Sequence, residues 1–295
     1  MKALFVINPV AGKGKGLEFI KAFEPMIKEK VDYEMIVTKR EGEATKLVRD
    51  YTSRANYVVY AVGGDGTINE VVNGLIGSES KLAIIPTGSG NDFVRSLYPK
   101  VSNEELLKAL LEGTSEAIDL IQVDEKYFLN IASVGLDADV VYNAIAFKKY
   151  RFIKGDIAYL LSLFKTILGP RGTHIKVTLD GKETCNEKIL LLAIANGRFY
   201  GGGIPITPHA KLSDAVADIC LVREHRLLKL LPIVPKLFKA THEEAKEVET
   251  YHAHQIEIEA AEGCRFNIDG EITKANKVKM QVIPGALKVI VPACV

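Results

Sequence analysis

The stretch Ala61-Val62-Gly63-Gly64-Asp65-Gly66-Thr67-Ile68-Asn69-Glu70 joins a β-rich run, Tyr57 to Val62, to a segment with helical spacing. A glycine turn leading from a strand into a helix gathers backbone N–H groups at the helix N-terminus, and that geometry binds phosphate. Glycines at 63, 64 and 66 let the backbone approach an oxyanion with no Cβ in the way. Asp65 sits among them, and a carboxylate beside a polyphosphate repels it unless a cation intervenes. Its most economical role is to orient Mg²⁺, directly or through water. The competing reading is a plain glycine turn with Asp65 capping the next helix.

Outward from this loop, short apolar runs (Ala3 to Ile7, Tyr33 to Thr38, Tyr57 to Val62, Lys81 to Pro86) alternate with stretches of helical length and spacing, Gly16 to Lys30, Glu41 to Ser53 and Thr67 to Leu75. Near-continuous apolar strands separated by helices predict a parallel sheet covered on both faces, with ligand-binding loops at the strand C-terminal ends. Two further loops fall at such ends. Pro86-Thr87-Gly88-Ser89-Gly90-Asn91-Asp92-Phe93 offers glycine amides and Ser89 to a phosphate, while Asn91 and Asp92 are good helix caps. Asn8-Pro9-Val10-Ala11-Gly12-Lys13-Gly14-Lys15-Gly16 adds two lysines and does not match the Walker A pattern.

After about Val123 strand-like segments dominate: Lys126 to Ser133, His174 to Leu179, Ile189 to Asn196, Ala217 to Val222, Gln255 to Ala260 and Val278 to Ile283. Helical insertions are expected at Asp156 to Leu168 and Arg226 to about Val248. The pattern predicts an α/β domain over 1–123, a mainly-β domain over 124–284 and a last segment, 285–295. Its strand, Leu287 to Val291, either returns to the first domain or completes the second.

Composition excludes several classes of protein. The chain has 295 residues, with 38 Lys plus Arg against 37 Asp plus Glu, 47% hydrophobic and 25% charged. These are globular proportions, enough for two cores. A net charge of +1 gives no global field to gather a phosphate backbone, which argues against nucleic acid as the main partner. Cys185, Cys220, Cys264 and Cys294 form no paired motif, and the six histidines show no metal spacing. The first apolar run is too short for a signal-peptide core, and no stretch approaches the ~18 apolar residues of a span. A cytoplasmic protein is expected, with any membrane contact peripheral, at the inner face.

In the second half, Phe266-Asn267-Ile268-Asp269-Gly270-Glu271 sets two carboxylates around a glycine. Asp-Gly is a common type I′ hairpin pair, and this segment reads equally as a turn or as a source of a general base. Taken in order, NPxAGxG at Asn8 to Gly14, GGDGTxNE at Gly63 to Glu70, PxGxxND at Pro86 to Asp92, Asn196-Gly197 with Tyr200 to Gly203, Pro208 to Asp214, and Asp269-Gly270-Glu271 resemble the diacylglycerol kinase catalytic family, in the form of its soluble bacterial lipid kinases. The resemblance covers essentially the whole chain. GGDGT alone is shared with NAD kinases and related phosphofructokinases.

The resemblance implies a three-layer α/β nucleotide domain, a C-terminal β-sandwich-like lipid domain and an active site in the cleft between them. It implies that Asn8, Pro9, Val10, Ala11, Gly12, Thr38, Gly64, Asp65, Gly66, Thr67, Ile68, Asn69, Glu70 and Ser89 contact ATP. Asp65 would serve a catalytic Mg²⁺, and Asp269 would be the general base with Glu271 beside it. A structural Mg²⁺ would take the Asp214 carboxylate and the Lys211 and Val216 carbonyls. Asp92 and Asp119 match acidic positions of a water-mediated network around that region. Asp214-Ala215 departs from the usual Asp-Gly, which puts in question a backbone angle that favours glycine.

The expected reaction is phosphoryl transfer from ATP to a lipid hydroxyl, with diacylglycerol the leading acceptor. NAD kinase-like chemistry and a catalytically silent nucleotide-binding regulator are the rivals. The basic, leucine-rich segment Glu224 to Lys239 suits either a membrane surface or packing on the β domain, and Tyr159 to Leu168 suits an acyl pocket or a core helix. A homodimer fits the bacterial resemblance.

Overall fold

In this computed structural model the described residues are 2–136, 138, 172–225, 227–230 and 232–293. The expected helix at Asp156 to Leu168, with the acyl-pocket segment Tyr159 to Leu168, lies outside them, as does Cys294.

The four apolar runs of the first half form parallel strands β1 (Lys2–Ile7), β2 (Tyr33–Val37), β3 (Tyr57–Gly63) and β4 (Lys81–Pro86), ordered β4-β3-β1-β2. Leu4, Phe5, Val59, Val62 and Ile84 are fully buried, as strands covered on both faces require. Between them run α1 (Lys15–Lys30), α2 (Glu43–Thr52) and α3 (Asp65–Leu75). In α2 the buried residues Ala44, Val48 and Thr52 recur every fourth position, one stripe of a helix. The chain moves outward from β1 to β2 and then returns past β1 to form β3. This reversal puts the loops after β1, β3 and β4 at one edge, where doubly wound sheets bind ligands. Helix α3 starts at Asp65, two residues before the predicted Thr67, because extended Gly64 takes the N-cap position.

The helix expected after the Pro86 to Phe93 loop is the single turn α4 (Val94–Leu97), with Phe93 and not Asn91 or Asp92 at its N-cap, whereas α5 (Asn103–Leu111) and β5 (Thr114–Val123) escaped the periodicity. Helix α5 opens on a complete capping box between Ser102 and Glu105. The first four residues of β5 are exposed, which hides a strand from an apolar count.

The second half is built from β6 (Lys126–Phe128), β7 (Ile131–Gly135), β8 (Thr173–Leu179), β9 (Lys182–Ala195), the short pair β10 (Phe199–Tyr200) and β11 (Ile204–Pro205), β12 (Ala217–Arg223), β13 (Val248–Ala253), β14 (Gln255–Ile268) and β15 (Glu271–Val291). Alternation along the strands sorts its apolar residues onto two faces. Ile219 and Leu221 join one buried cluster, while Cys220 and Val222 join another. The expected helix from Arg226 to about Val248 is instead two short helices, α6 (Leu227–Leu230) and α7 (Ile233–Phe238), and a 3-10 turn at His242–Glu244. Pro232 and Pro235 lack the N–H that a continuous helix needs.

Strand β15 runs through both halves. Its first part pairs with β14, its middle and end pair with β5, and Val289 lies parallel to Leu82 of β4. Leu287, Val289 and Ile290 are buried in the first domain's core, so the last strand lies in that domain's sheet. The register shift falls at Pro284-Gly285, between Ile283 and Leu287. There the Gly285 amide donates to Asp119 Oδ1 at 2.8 Å.

Candidate active site between the two domains

The loops after β1, β3 and β4 are tied together through their backbones. The Asn8 amide donates to the Val62 carbonyl at 3.0 Å, and the Thr87 amide to Gly63 at 2.9 Å. Asn8 Nδ2 reaches Thr67 Oγ1 at 2.9 Å, while Asn8 Oδ1 accepts from the Val10 amide at 3.1 Å. Gly64 and Gly88 touch: a Cβ on Gly88 would lie 2.4 Å from Gly64 Cα. Glycine is needed at this crossing because two phosphate loops meet there.

Seven expected nucleotide contacts, Asn8, Pro9, Val10, Thr38, Gly66, Thr67 and Glu70, line one hollow of about 320 Å³. Lys39 and Arg40, absent from the sequence expectation, also line it, and Glu271 enters it from the second domain. Glu70 has a structural task as well. Its carboxylate accepts from the Gly42 and Ala44 amides at 2.9 and 3.1 Å, capping the N-terminus of α2 from the neighbouring helix. Gly12 and Ser89 line a separate, wider hollow with Lys13 and Lys15. The Ala11 amide is spent on the Asn8 carbonyl at 3.3 Å.

Asp65 and Ile68 face a second cavity, of about 210 Å³, between the domains. Asp92 and Phe93 join them from the first domain, while Leu129, Ile131, Tyr200 and Asp269 close it from the second. Asp269 sits in the β14–β15 hairpin turn with φ 46°, followed by Gly270 at φ 93°, so the turn and the site are the same feature. Its Oδ1 accepts from the Asn130 and Ile131 amides at 3.1 and 3.0 Å. Its Oδ2 accepts from the Leu129 amide and from Asn69 Nδ2, both at 3.0 Å. Burial nevertheless pushes this carboxyl up to about 6, the N–H donors pulling the other way. The Leu129-Asn130 turn, which splits the predicted strand Lys126 to Ser133, supplies these amides. Backbone donors leave no mark in a sequence.

Asp65 Oδ1 accepts from the Asp92 amide at 3.0 Å, so its carboxylate is fixed to the neighbouring loop. Burial, and then the charge of Asp92, hold its carboxyl above the ordinary range. Asp92 Oδ2 accepts from the Gly202 amide at 2.9 Å, tying this loop to the Tyr200 to Gly203 segment. Asp92 Oδ1 is buried with no hydrogen-bond donor, and Arg95 Nε stands 3.8 Å away. Two adjacent carboxylates, one with an unmatched oxygen, are a donor set that suits a hard divalent cation, and Mg²⁺ fits here.

The other expected metal region is arranged differently. Asp214 is exposed, and its Oδ1 accepts from the Val216 amide at 3.4 Å. Asp119 is buried with both oxygens occupied, one by Gly285 and one by the Ala215 amide at 2.6 Å. The left-handed angle in question is present: Ala215 adopts φ 66° in place of the usual glycine. Oxygen donors from Lys211, Asp214 and Val216 are chemically suited to Mg²⁺. Among the described residues no three His, Cys, Asp or Glu side chains are grouped to hold a metal ion.

Residues 2–123 match the diacylglycerol kinase catalytic domain, and residues 130–291 match the YegS C-terminal NAD kinase beta sandwich-like domain. A diacylglycerol kinase of Mycobacterium tuberculosis is 30% identical over 99% of this chain and 95% of its own. This chain belongs to the diacylglycerol kinase catalytic family. A probable YegS-like lipid kinase of Pseudomonas aeruginosa is also 30% identical, again over 99% and 95%. The crystal structure of a putative diacylglycerol kinase from Bacillus anthracis superposes with a TM-score of 0.80 at 29% identity, covering 98% of this chain and 94% of that one. The fold is therefore that of the lipid kinases of this family: an α/β catalytic domain followed by a β-sandwich-like domain. In this kinase no helix among the described residues is long and apolar enough to cross a membrane.

Proposed function

We propose that this lipid kinase transfers the γ-phosphoryl group of ATP to the hydroxyl of diacylglycerol, giving phosphatidic acid. The observation that carries the reading is the meeting of Asp269 with Asp65 and Asp92 across one cavity, beside the hollow lined by the loop residues Asn8, Gly66 and Thr67. Asp65 and Asp92 would hold Mg²⁺, which when bound would supply charge neutralisation for a loose phosphoryl-transfer transition state. The amides at the start of α3 orient the phosphates, while Asp269, ionised at neutral pH, orients the acceptor hydroxyl and takes its proton late in transfer. A cavity of about 210 Å³ accepts a hydroxyl-bearing head and leaves acyl chains outside.

The lipid is presented at a membrane surface in this reading. Leu230 is buried, and Ile233 and Leu237 pack on the β domain, whereas Val234 and Phe238 are 49% and 67% exposed beside Lys236 and Lys239. Exposed apolar side chains among lysines suit peripheral contact with an anionic headgroup layer at the inner face, with the protein cytoplasmic and homodimeric.

The deciding experiment is transfer of labelled γ-phosphate from Mg-ATP to a panel of mixed-micelle lipids and to NAD, with Asp269→Ala alongside. Labelled phosphatidic acid that vanishes in the variant supports the reading. Labelled NAD moves the protein to the soluble-substrate branch, and no labelled product favours the silent regulator.

A further inference from the structure

The motif reading makes Asn69 a nucleotide contact, yet its side chain faces Asp269 and does not line the nucleotide hollow. Three of the four donors on Asp269 are backbone amides of Leu129, Asn130 and Ile131, all from the second domain. That segment is joined to the hairpin that carries Asp269, the Asp269 amide donating to the Ile131 carbonyl at 3.0 Å. Asn69 is the donor from the first domain among the described residues, at 3.0 Å.

Its amide is oriented by a partner one turn further along α3. Asn73 Nδ2 donates to Asn69 Oδ1 at 3.1 Å, which leaves Asn69 Nδ2 to face the carboxylate. Asn73 is itself bracketed by Tyr127, donating to its carbonyl and accepting from its amide, each at 2.9 Å. Asn69 stands about one turn from Asp65, the first residue of α3. One rigid helix thus presents its N-terminus to the phosphates and Asn69 to the base.

Resting on the kinase reading above, we infer that Asn69 is a positioning residue: it holds the Asp269 carboxylate in register with the nucleotide and couples phosphate seating at α3 to the base. Other titratable groups around Asp269 are Asp65, Asp92 and Tyr200 across the cavity, and Glu271, with Lys126 3.9 Å from Glu271.

The test uses Asn69→Ala and Asn69→Asp in the full chain. Mg-ADP affinity is measured by calorimetry, transfer to diacylglycerol micelles as kcat and KM against pH, and the Asp269 carboxyl by ¹³C resonance with and without Mg-ADP. The expected result is an unchanged Mg-ADP affinity and a kcat lowered about 10- to 100-fold, the loss of a hydrogen bond to a charged group. The acid limb of kcat moves to higher pH, and Mg-ADP moves the Asp269 resonance more in the parent protein than in the variants, where only the direct field of the ion remains. Weakened Mg-ADP binding with kcat preserved at saturation, or an Asp269 titration identical in parent and folded variants, overturns the inference. If the parent labels no lipid, the kinase reading falls, while the calorimetric and resonance measurements still decide the role of Asn69.

Discussion

Asp269 and Glu271 stand two positions apart on one hairpin and line different cavities, Asp269 the interdomain cavity with Asp65 and Glu271 the nucleotide hollow with Thr38 and Glu70. The intervening Gly270 completes the turn, so the two carboxylates leave it in different directions. Under the proposed kinase reading, Asp269 would act on the acceptor and Glu271, expected beside it, on the nucleotide side.

The first prediction follows from that division. Asp269→Ala loses transfer and keeps Mg-ATP binding, whereas Glu271→Gln acts mainly on the KM for ATP and leaves kcat within about threefold, the scale of a weak exposed contact. Steady-state kinetics on both variants separate the two effects. Near-parent turnover in Asp269→Ala removes the base assignment.

A base must be ionised to accept a proton, and the Asp269 carboxyl stands at about 6. Ionisation is complete above that value and falls about tenfold for each pH unit below it. The log of kcat should accordingly rise with pH up to about 6 and then level off. A profile flat down to the ordinary carboxylate range, with the protein still folded, contradicts this.

The glycine contact between the phosphate loops gives a steric prediction. In Gly88→Ala the new methyl meets Gly64 Cα at 2.4 Å and Asn91 Oδ1 at 2.9 Å, so the loops must part. We expect Mg-ATP affinity to fall by about tenfold or more, the price of overpacking by one methyl. Calorimetric titration of Gly88→Ala beside Gly66→Ala, whose Cβ meets nothing within 4 Å, checks it: the second variant should fold and keep its loop contact.

Glu70 caps a helix that is not its own. Glu70→Ala leaves the Gly42 and Ala44 amides without their acceptor and should cost about 1–2 kcal/mol, the scale of a lost N-cap. Urea unfolding monitored by circular dichroism measures the loss. A change confined to ATP binding, with stability untouched, would show that the cap contributes nothing.

At Ala215, with φ 66°, strain of about 1–2 kcal/mol is offset in a glycine variant by roughly 0.4–1 kcal/mol of extra freedom in the unfolded chain. Ala215→Gly should then stabilise the protein by about 0.5 kcal/mol. Unfolding with and without Mg²⁺ tests this and reports whether the loop of Asp214 responds to the ion.

The α/β half was legible because strands buried on both faces must be apolar throughout, and helices with one buried stripe must repeat every three to four residues. Glycines at 64 and 88 were equally legible, since backbone packed on backbone excludes side chains, and at Gly63 a Cβ would strike the Thr67 side chain. Strand β5 was missed because its exposed start dilutes the apolar signal, and the segment after Arg226 was misread because its leucines keep helical spacing across prolines.

By itself, then, the sequence determined the two kinds of domain, the phosphate loops and the acidic residues available to them, because each rests on local periodicity or on a residue type at a fixed spacing. Tertiary structure decided which groups meet. The closing strand entered the first domain's sheet because Leu287, Val289 and Ile290 find burial there. Asp269 acquired three backbone donors and Asn69, a residue 200 positions away. The shift of its carboxyl depends on desolvation and on those donors, and both exist only after the two domains have packed against each other.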